Sequence, residues 1–119
     1  MHKILVIDDE LDVCNTLVKI LSNEGYQMNA SQNAKQGLEL LESESPELIL
    51  LDIMMPEIDG IEALRRIREV DKDIPVIMIT GYGDLSTARE SMKLGAFDYI
   101  TKPFDLNFLK AIIRDALEI

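Results

Sequence analysis

Short apolar runs alternate with helically spaced apolar positions along the whole chain. Ile4-Leu5-Val6-Ile7 and Leu48-Ile49-Leu50-Leu51 are unbroken. That is the pattern of strands buried on both faces of a parallel sheet. After the first run, Leu11, Cys14, Leu17, Val18 and Leu21 recur at helical spacing, and Gly25 is placed to end that helix in the left-handed conformation. Gln27–Ser31 reads as a short, weakly patterned strand near a sheet edge. Asn33 can cap a second helix with Ala34, Leu38 and Leu41 facing inward, and Ser45-Pro46 separates it from the third strand. Ile61, Leu64 and Ile67 mark a third helix, and Asp73-Ile74-Pro75 turns into a fourth strand at 76–79. Asp84 or Ser86 is expected to cap a fourth helix with a thin stripe of Ala88 and Met92, ended by Gly95. A fifth strand at 97–101 follows, then a helix capped by Asp105 that carries Phe108, Leu109, Ile112, Ile113 and Ala116. Five βα units predict one α/β domain over residues 1–119, a three-layer sandwich around a parallel sheet with right-handed crossovers.

The strands end in chemistry. Asp8 and Asp9 follow the first, Asp52 the third, Thr80 the fourth and Lys102 the fifth. Ligands of open α/β sheets bind outside the carboxyl ends of the strands. If the first and third strands are neighbours, three carboxylates converge and repel one another unless a cation joins them. Mg²⁺ suits such a set, because it takes carboxylate oxygens, waters and phosphate oxygens. A carboxylate is also a nucleophile toward phosphorus. Asp52 stands alone on its strand and is the candidate nucleophile, with Asp8 and Asp9 left to hold the metal.

Composition narrows the choice. Hydrophobic residues make up 47% and charged residues 29% of the 119, which describes a globular chain. Twenty-two acids against twelve bases give a net charge of -10. That disfavours direct nucleic-acid binding and an anionic membrane surface. The single cysteine, Cys14, cannot form an internal disulfide and falls in an apolar helical pattern, so it reads as core. Met1-His2-Lys3 leads into only four apolar residues before two acids, so no secretory leader is expected. No apolar run reaches the roughly 20 residues of a membrane helix, and a cytoplasmic protein is expected.

Several segments together carry a family likeness: Ile7-Asp8-Asp9-Glu10, Leu50-Leu51-Asp52-Ile53-Met54-Met55-Pro56, Asp59-Gly60, Thr80-Gly81, Gly95-Ala96-Phe97-Asp98-Tyr99 and Lys102-Pro103-Phe104. In order and spacing the chain resembles a response-regulator receiver domain of bacterial two-component signalling, a phosphorylation-driven switch. Thr80-Gly81-Tyr82-Gly83-Asp84-Leu85, with Ala88 and Met92-Lys93, most resembles receivers of nitrogen-regulatory-type transcription activators. The resemblance implies a flavodoxin-like sheet of strand order 2-1-3-4-5. It implies that Asp52 accepts a phosphoryl group from a histidine kinase or phosphotransfer protein. Asp9 and Asp52 would bind Mg²⁺ directly, Asp8 partly through water, and the Met54 carbonyl would complete the set. Lys102 would contact the phosphoryl oxygens and Thr80 would donate its hydroxyl. Tyr99 would change rotamer as Thr80 moves. The Lys102-Pro103 bond is expected to be cis. Met54 and Tyr82 would flank the hydrolytic water; Met54 offers it no hydrogen bond, so slow self-dephosphorylation is expected. The output face would lie between the fourth strand and fifth helix, with Phe97, Tyr99 and Phe104 nearby, open to an effector domain or a second copy.

Plainer readings compete. Singly, Asp8, Asp9 and Asp52 could be caps, Thr80 a strand-end hydroxyl, Lys102 a solvated lysine, Tyr99 core, Met54-Met55 packing and His2 a frayed terminal residue. Their positions at sibling strand ends favour the functional reading. A magnesium-dependent phosphohydrolase acting through an aspartyl phosphate is the alternative, but that chemistry wants a second acid two residues after a first-strand nucleophile and a cap domain. A degenerate receiver acting only as a binding module is disfavoured by the intact acid, Thr and Lys set. The switch reading makes the chain a phosphoprotein that slowly hydrolyses its own phosphoryl group, not a turnover enzyme on external substrates. Gly81-x-Gly83 lacks a third glycine and is no dinucleotide fingerprint, and no P-loop or zinc ligand pattern exists.

Overall fold

The computed structural model describes residues 2–81 and 85–118; the expected loop positions Tyr82 and Gly83 and the candidate cap Asp84 lie outside them. Five βα units follow in order: β1 (Lys3–Ile7), α1 (Leu11–Asn23), β2 (Gln27–Ser31), α2 (Ala34–Glu44), β3 (Leu48–Leu51), α3 (Gly60–Val70), β4 (Val76–Thr80), α4 (Leu85–Lys93), β5 (Asp98–Thr101) and α5 (Leu106–Leu117). The strands form one parallel sheet, β2-β1-β3-β4-β5. β4 runs one residue beyond the expected span, through Thr80, and β5 starts one later, at Asp98.

Alternation along each strand divides the core. Leu5, Ile7, Ile49, Leu51, Val76 and Met78 face α2 and α3. Ile4, Val6, Leu48, Leu50, Ile77 and Ile79 face α1 and α5. Each fully buried aliphatic side chain contributes about 1.5–3 kcal/mol, which is why the central strands tolerate no polar residue until they reach the rim. Helix starts are set by side chains: Asn33 accepts from Gln36 N at 2.8 Å, Asp59 from Glu62 N at 2.9 Å and Asp105 from Asn107 N at 2.7 Å. Gly25 and Gly95 take the left-handed conformation after α1 and α4, with φ of 95° and 82°. Among the described residues, no helix is long and apolar enough to cross a membrane.

Several inward-facing expectations fail at helix ends and on α4. Leu11 opens α1 above the rim and is exposed, as is Phe108 in the first turn of α5. On α4 the buried residue is Ser91, whose hydroxyl donates to Thr87 O at 2.9 Å, while Met92 is half exposed. A small hydroxyl satisfied within its own helix lets α4 sit close to the sheet. Ser86 is no N-cap, since it lies inside α4.

The C-terminal end of α4 is pinned by Arg68 of α3. Its guanidinium donates to Leu94 O (3.0 Å), Gly95 O (2.7 Å), Ile74 O (2.7 Å) and Asp71 O (3.3 Å). One planar fork thus ties α3, the loop before β4 and the turn after α4. Arg68→Ala leaves several carbonyls without that donor and should cost about 2–4 kcal/mol in urea denaturation. Arg68→Lys, which has no fork, should recover less than half; full recovery by lysine would contradict this account of the clamp.

Candidate functional site

Parallel register builds the site. Ile7 pairs with Leu51, so Asp8 and Asp52 emerge side by side. Asp8 N donates to Ser31 O at 3.0 Å and Asp52 N to Ile7 O at 2.9 Å, which fixes both backbones to the sheet. Thr80 pairs with Thr101, and Lys102 N donates to Thr80 O at 2.7 Å. Four strand ends therefore deliver Asp8, Asp52, Thr80 and Lys102 to one rim. The Lys102-Pro103 bond there is cis, as expected.

Lys102 crosses the rim to the acids. Its ammonium donates to Asp8 Oδ2 at 2.9 Å and lies 3.8 Å from Asp52 Oδ2 and 3.6 Å from Glu10 Oε1. Asp8 and Asp52 are only 2% and 3% exposed, so one partly buried ammonium serves two nearly dry carboxylates. Asp8 Oδ1 also accepts from Glu10 N at 2.9 Å, and Asp52 Oδ1 accepts weakly from Met54 N at 3.4 Å. One carboxylate oxygen from each of Asp8, Asp9 and Glu10 lies within 4.8 Å of the others. Glu10 was missed as a site candidate, although three consecutive acids after a buried strand were the available signal.

The charge balance is lopsided. Burial and then the Asp8 charge push the Asp52 carboxyl up to about 7, against smaller downward pulls from Lys102 and the Met54 N–H, with Asp9 adding a little upward. Burial pulls the Lys102 ammonium down, but Asp8, through its hydrogen bond and charge, with Asp52 and Glu10 behind it, leaves it raised. A site short of positive charge and lined by hard oxygen donors fits a small divalent cation such as Mg²⁺ better than a softer metal.

The other candidates fall into place by strand register. Thr80 is fully buried at the end of β4. Tyr99 pairs with Met78, two residues before Thr80, so Tyr99 and Thr80 occupy the same sheet face as diagonal neighbours. The Tyr99 hydroxyl is 3.0 Å from Thr87 Oγ1 of α4. The side chain of Met54 is half exposed. Phe97 and Phe104 are partly buried and pack against the α1 and α5 core. Cys14 is buried, with its thiol donating to Asp8 O at 3.3 Å; burial and then Asp8 push it up, away from thiolate chemistry. His2 is exposed but not loose, with Nδ1 2.7 Å from Glu47, at the end of β1 away from the rim.

The sequence matches the response regulator receiver domain family over residues 4–114. It is 39% identical to the nitrogen assimilation regulatory protein NtrX of Azorhizobium caulinodans, over 98% of this chain and 26% of that protein. The chain likewise spans 26% of other long curated relatives. It is 38% identical to sporulation initiation phosphotransferase F of Bacillus subtilis over 98% of this chain and 94% of that one. A CheY-like response regulator receiver domain protein from Methanospirillum hungatei superposes with a TM-score of 0.96 at 32% identity, covering 99% of this chain and 94% of the other.

Because the fold raises the Asp52 carboxyl, it favours the protonated acid. Its contribution is complete below the unfolded value of 3.8 and is lost as pH rises to about 7. In metal-free protein, wild type should lose stability relative to Asp52→Asn across that window, by about 4 kcal/mol at most. Urea denaturation in EDTA at several pH values checks this; parallel curves for the two proteins would refute it.

Proposed function

Given that the chain belongs to the response regulator receiver domain family and is a phosphorylated signalling switch, we propose that Asp52 is the phosphoacceptor, with Lys102 and Thr80 as its partners in the transfer. The observation that carries this is the reach of Lys102 to Asp8 and Asp52 from the far side of the sheet. An Asp52 carboxylate oxygen attacks phosphorus, the bond from phosphorus to the imidazole nitrogen of a phosphohistidine breaks, and the imidazole leaves with the bonding pair. The product is a mixed anhydride on Asp52. Lys102 then has a phosphoryl oxygen to pair with, and the hydroxyl of Thr80 donates to another.

Asp9 and Asp52, with Asp8 through water and the Met54 carbonyl, would hold Mg²⁺. When bound, that ion supplies counter-charge to the phosphoryl oxygens. Phosphorylation adds about -1.5 to -2 charge at the rim. Thr80 and Lys102 respond by moving inward, and Tyr99, tied to Thr87 of α4, changes rotamer to follow. The output is a rearranged face from β4 to α5, offered to an effector domain or a second copy. The donor is a histidine kinase or phosphotransfer protein, and the compartment is the cytoplasm. Residues 1–119 act as a single receiver domain that slowly hydrolyses its own phosphoryl group and does not turn over external esters.

Incubation with Mg²⁺ and acetyl phosphate should give a stoichiometric, base-labile phosphate that is absent in Asp52→Asn. The label should persist for minutes or longer, and Met54→Asn should shorten its life by offering the attacking water a hydrogen bond. Label retained in Asp52→Asn would name the wrong nucleophile. Steady release of phosphate from many small esters would favour a phosphohydrolase.

A further inference from the structure

The loop that leaves Asp52 returns onto it. Gly60, the first residue of α3, donates its N–H to Ile53 O at 2.8 Å and is buried. A β-carbon built on Gly60 would overlap the Asp52 carbonyl oxygen and would lie 2.6 Å from Ile53 Cα and 2.8 Å from the Asp52 carbonyl carbon. These three nearest obstacles are all backbone, so no rotamer change can relieve them. Gly60 has an ordinary helical φ, so it is space and not conformation that demands glycine there. Gly37 offers a contrast: the nearest atoms to its β-carbon would be side-chain atoms of Ile7, Cδ1 at 2.5 Å and Cγ1 at 2.8 Å, and not backbone.

The Asp52 peptide is therefore held on two sides. Its N–H is bonded to Ile7 O of β1 at 2.9 Å, and its carbonyl rests on the bare α-carbon of Gly60. Asp59 secures the first turn of α3 by accepting from Glu62 N at 2.9 Å. We infer that Gly60 is a positioning residue for phosphoryl acceptance: the first turn of α3 is the stop that sets where the Asp52 carboxylate sits relative to Lys102 and Asp8. This rests on the reading of Asp52 as acceptor. A methyl group at position 60 would push the Asp52-Ile53 peptide off the stop while touching none of the reacting groups. The nucleophile would be displaced on a scale that costs up to about a hundredfold in rate.

The test compares acetyl phosphate labelling per folded molecule, with Mg²⁺ affinity measured by calorimetry, in wild type, Gly60→Ala, Asp59→Ala, Ile67→Val and Asp52→Asn. Gly60→Ala should label about tenfold or more slowly at saturating donor and bind Mg²⁺ more weakly. Asp59→Ala, which only loosens the turn, should be several-fold slow. Ile67→Val, in the buried middle of the same helix, should label like wild type although it melts earlier. Wild-type labelling and Mg²⁺ affinity in folded Gly60→Ala would overturn the inference. If Gly60→Ala does not fold, Asp59→Ala decides: wild-type labelling there would overturn it. Failure of the wild type to label, or labelling of Asp52→Asn, would instead sink the acceptor reading.

Discussion

Two carboxylates buried next to each other with one ammonium between them set the terms for this molecule. Asp8 and Asp52 sit at adjacent strand ends because Ile7 pairs with Leu51, and neither can retreat to solvent. Unit charges about 4 Å apart interact by about 4 kcal/mol at an effective dielectric of 20. Burial and then that repulsion, offset in part by Lys102, leave the Asp52 carboxyl pushed up to about 7. The sheet holds this conflict in place with backbone hydrogen bonds on both strands. A rim loaded in that way has a strong preference for any added positive charge.

The route from rim to surface is short. Thr80 and Tyr99 share a sheet face, and the Tyr99 hydroxyl meets Thr87 of α4. The far end of the same helix is held by the Arg68 guanidinium through two carbonyls. Between those two ties, Arg65 of α3 reaches Glu90 of α4 at 3.1 Å. Coupling of only about 1–3 kcal/mol between rim and α4 suffices for a useful switch. On the other side of Asp52, the close approach of Gly60 makes α3 part of the same frame.

Much of this was legible in the sequence because the strongest constraints are periodic. Central strands buried on both faces read as unbroken apolar runs, which placed β1, β3 and β4 to within a residue, while the edge strands β2 and β5 were located by the turns and helices around them. The convergence of Asp8, Asp52 and Lys102 followed once β1 and β3 were neighbours, and that adjacency came from family likeness rather than from the pattern. Leu11 and Phe108 misled because a first-turn residue overhangs the rim even when it is in phase with the buried stripe. Met92 misled because hydrophobicity outweighed a serine, yet Ser91 is the residue that α4 buries, with its hydroxyl satisfied by Thr87 O. Spacing alone cannot say which side of a short edge strand its flanking residues meet, and Phe97 and Phe104 pack on the α1 and α5 side. Gly60 was visible only as part of a motif; its reason, a carbonyl pressed against its α-carbon, needed coordinates.

The account turns on uncompensated negative charge at the rim, and proton release on cation binding measures that directly. Mg²⁺ should be titrated by calorimetry in buffers of differing ionisation enthalpy at several pH values. Near pH 7, binding should expel a sizeable fraction of a proton from wild type as Asp52 ionises. That release should vanish by about pH 9 and be absent in Asp52→Asn. Binding with no proton release at any pH, or no binding at all, would contradict it.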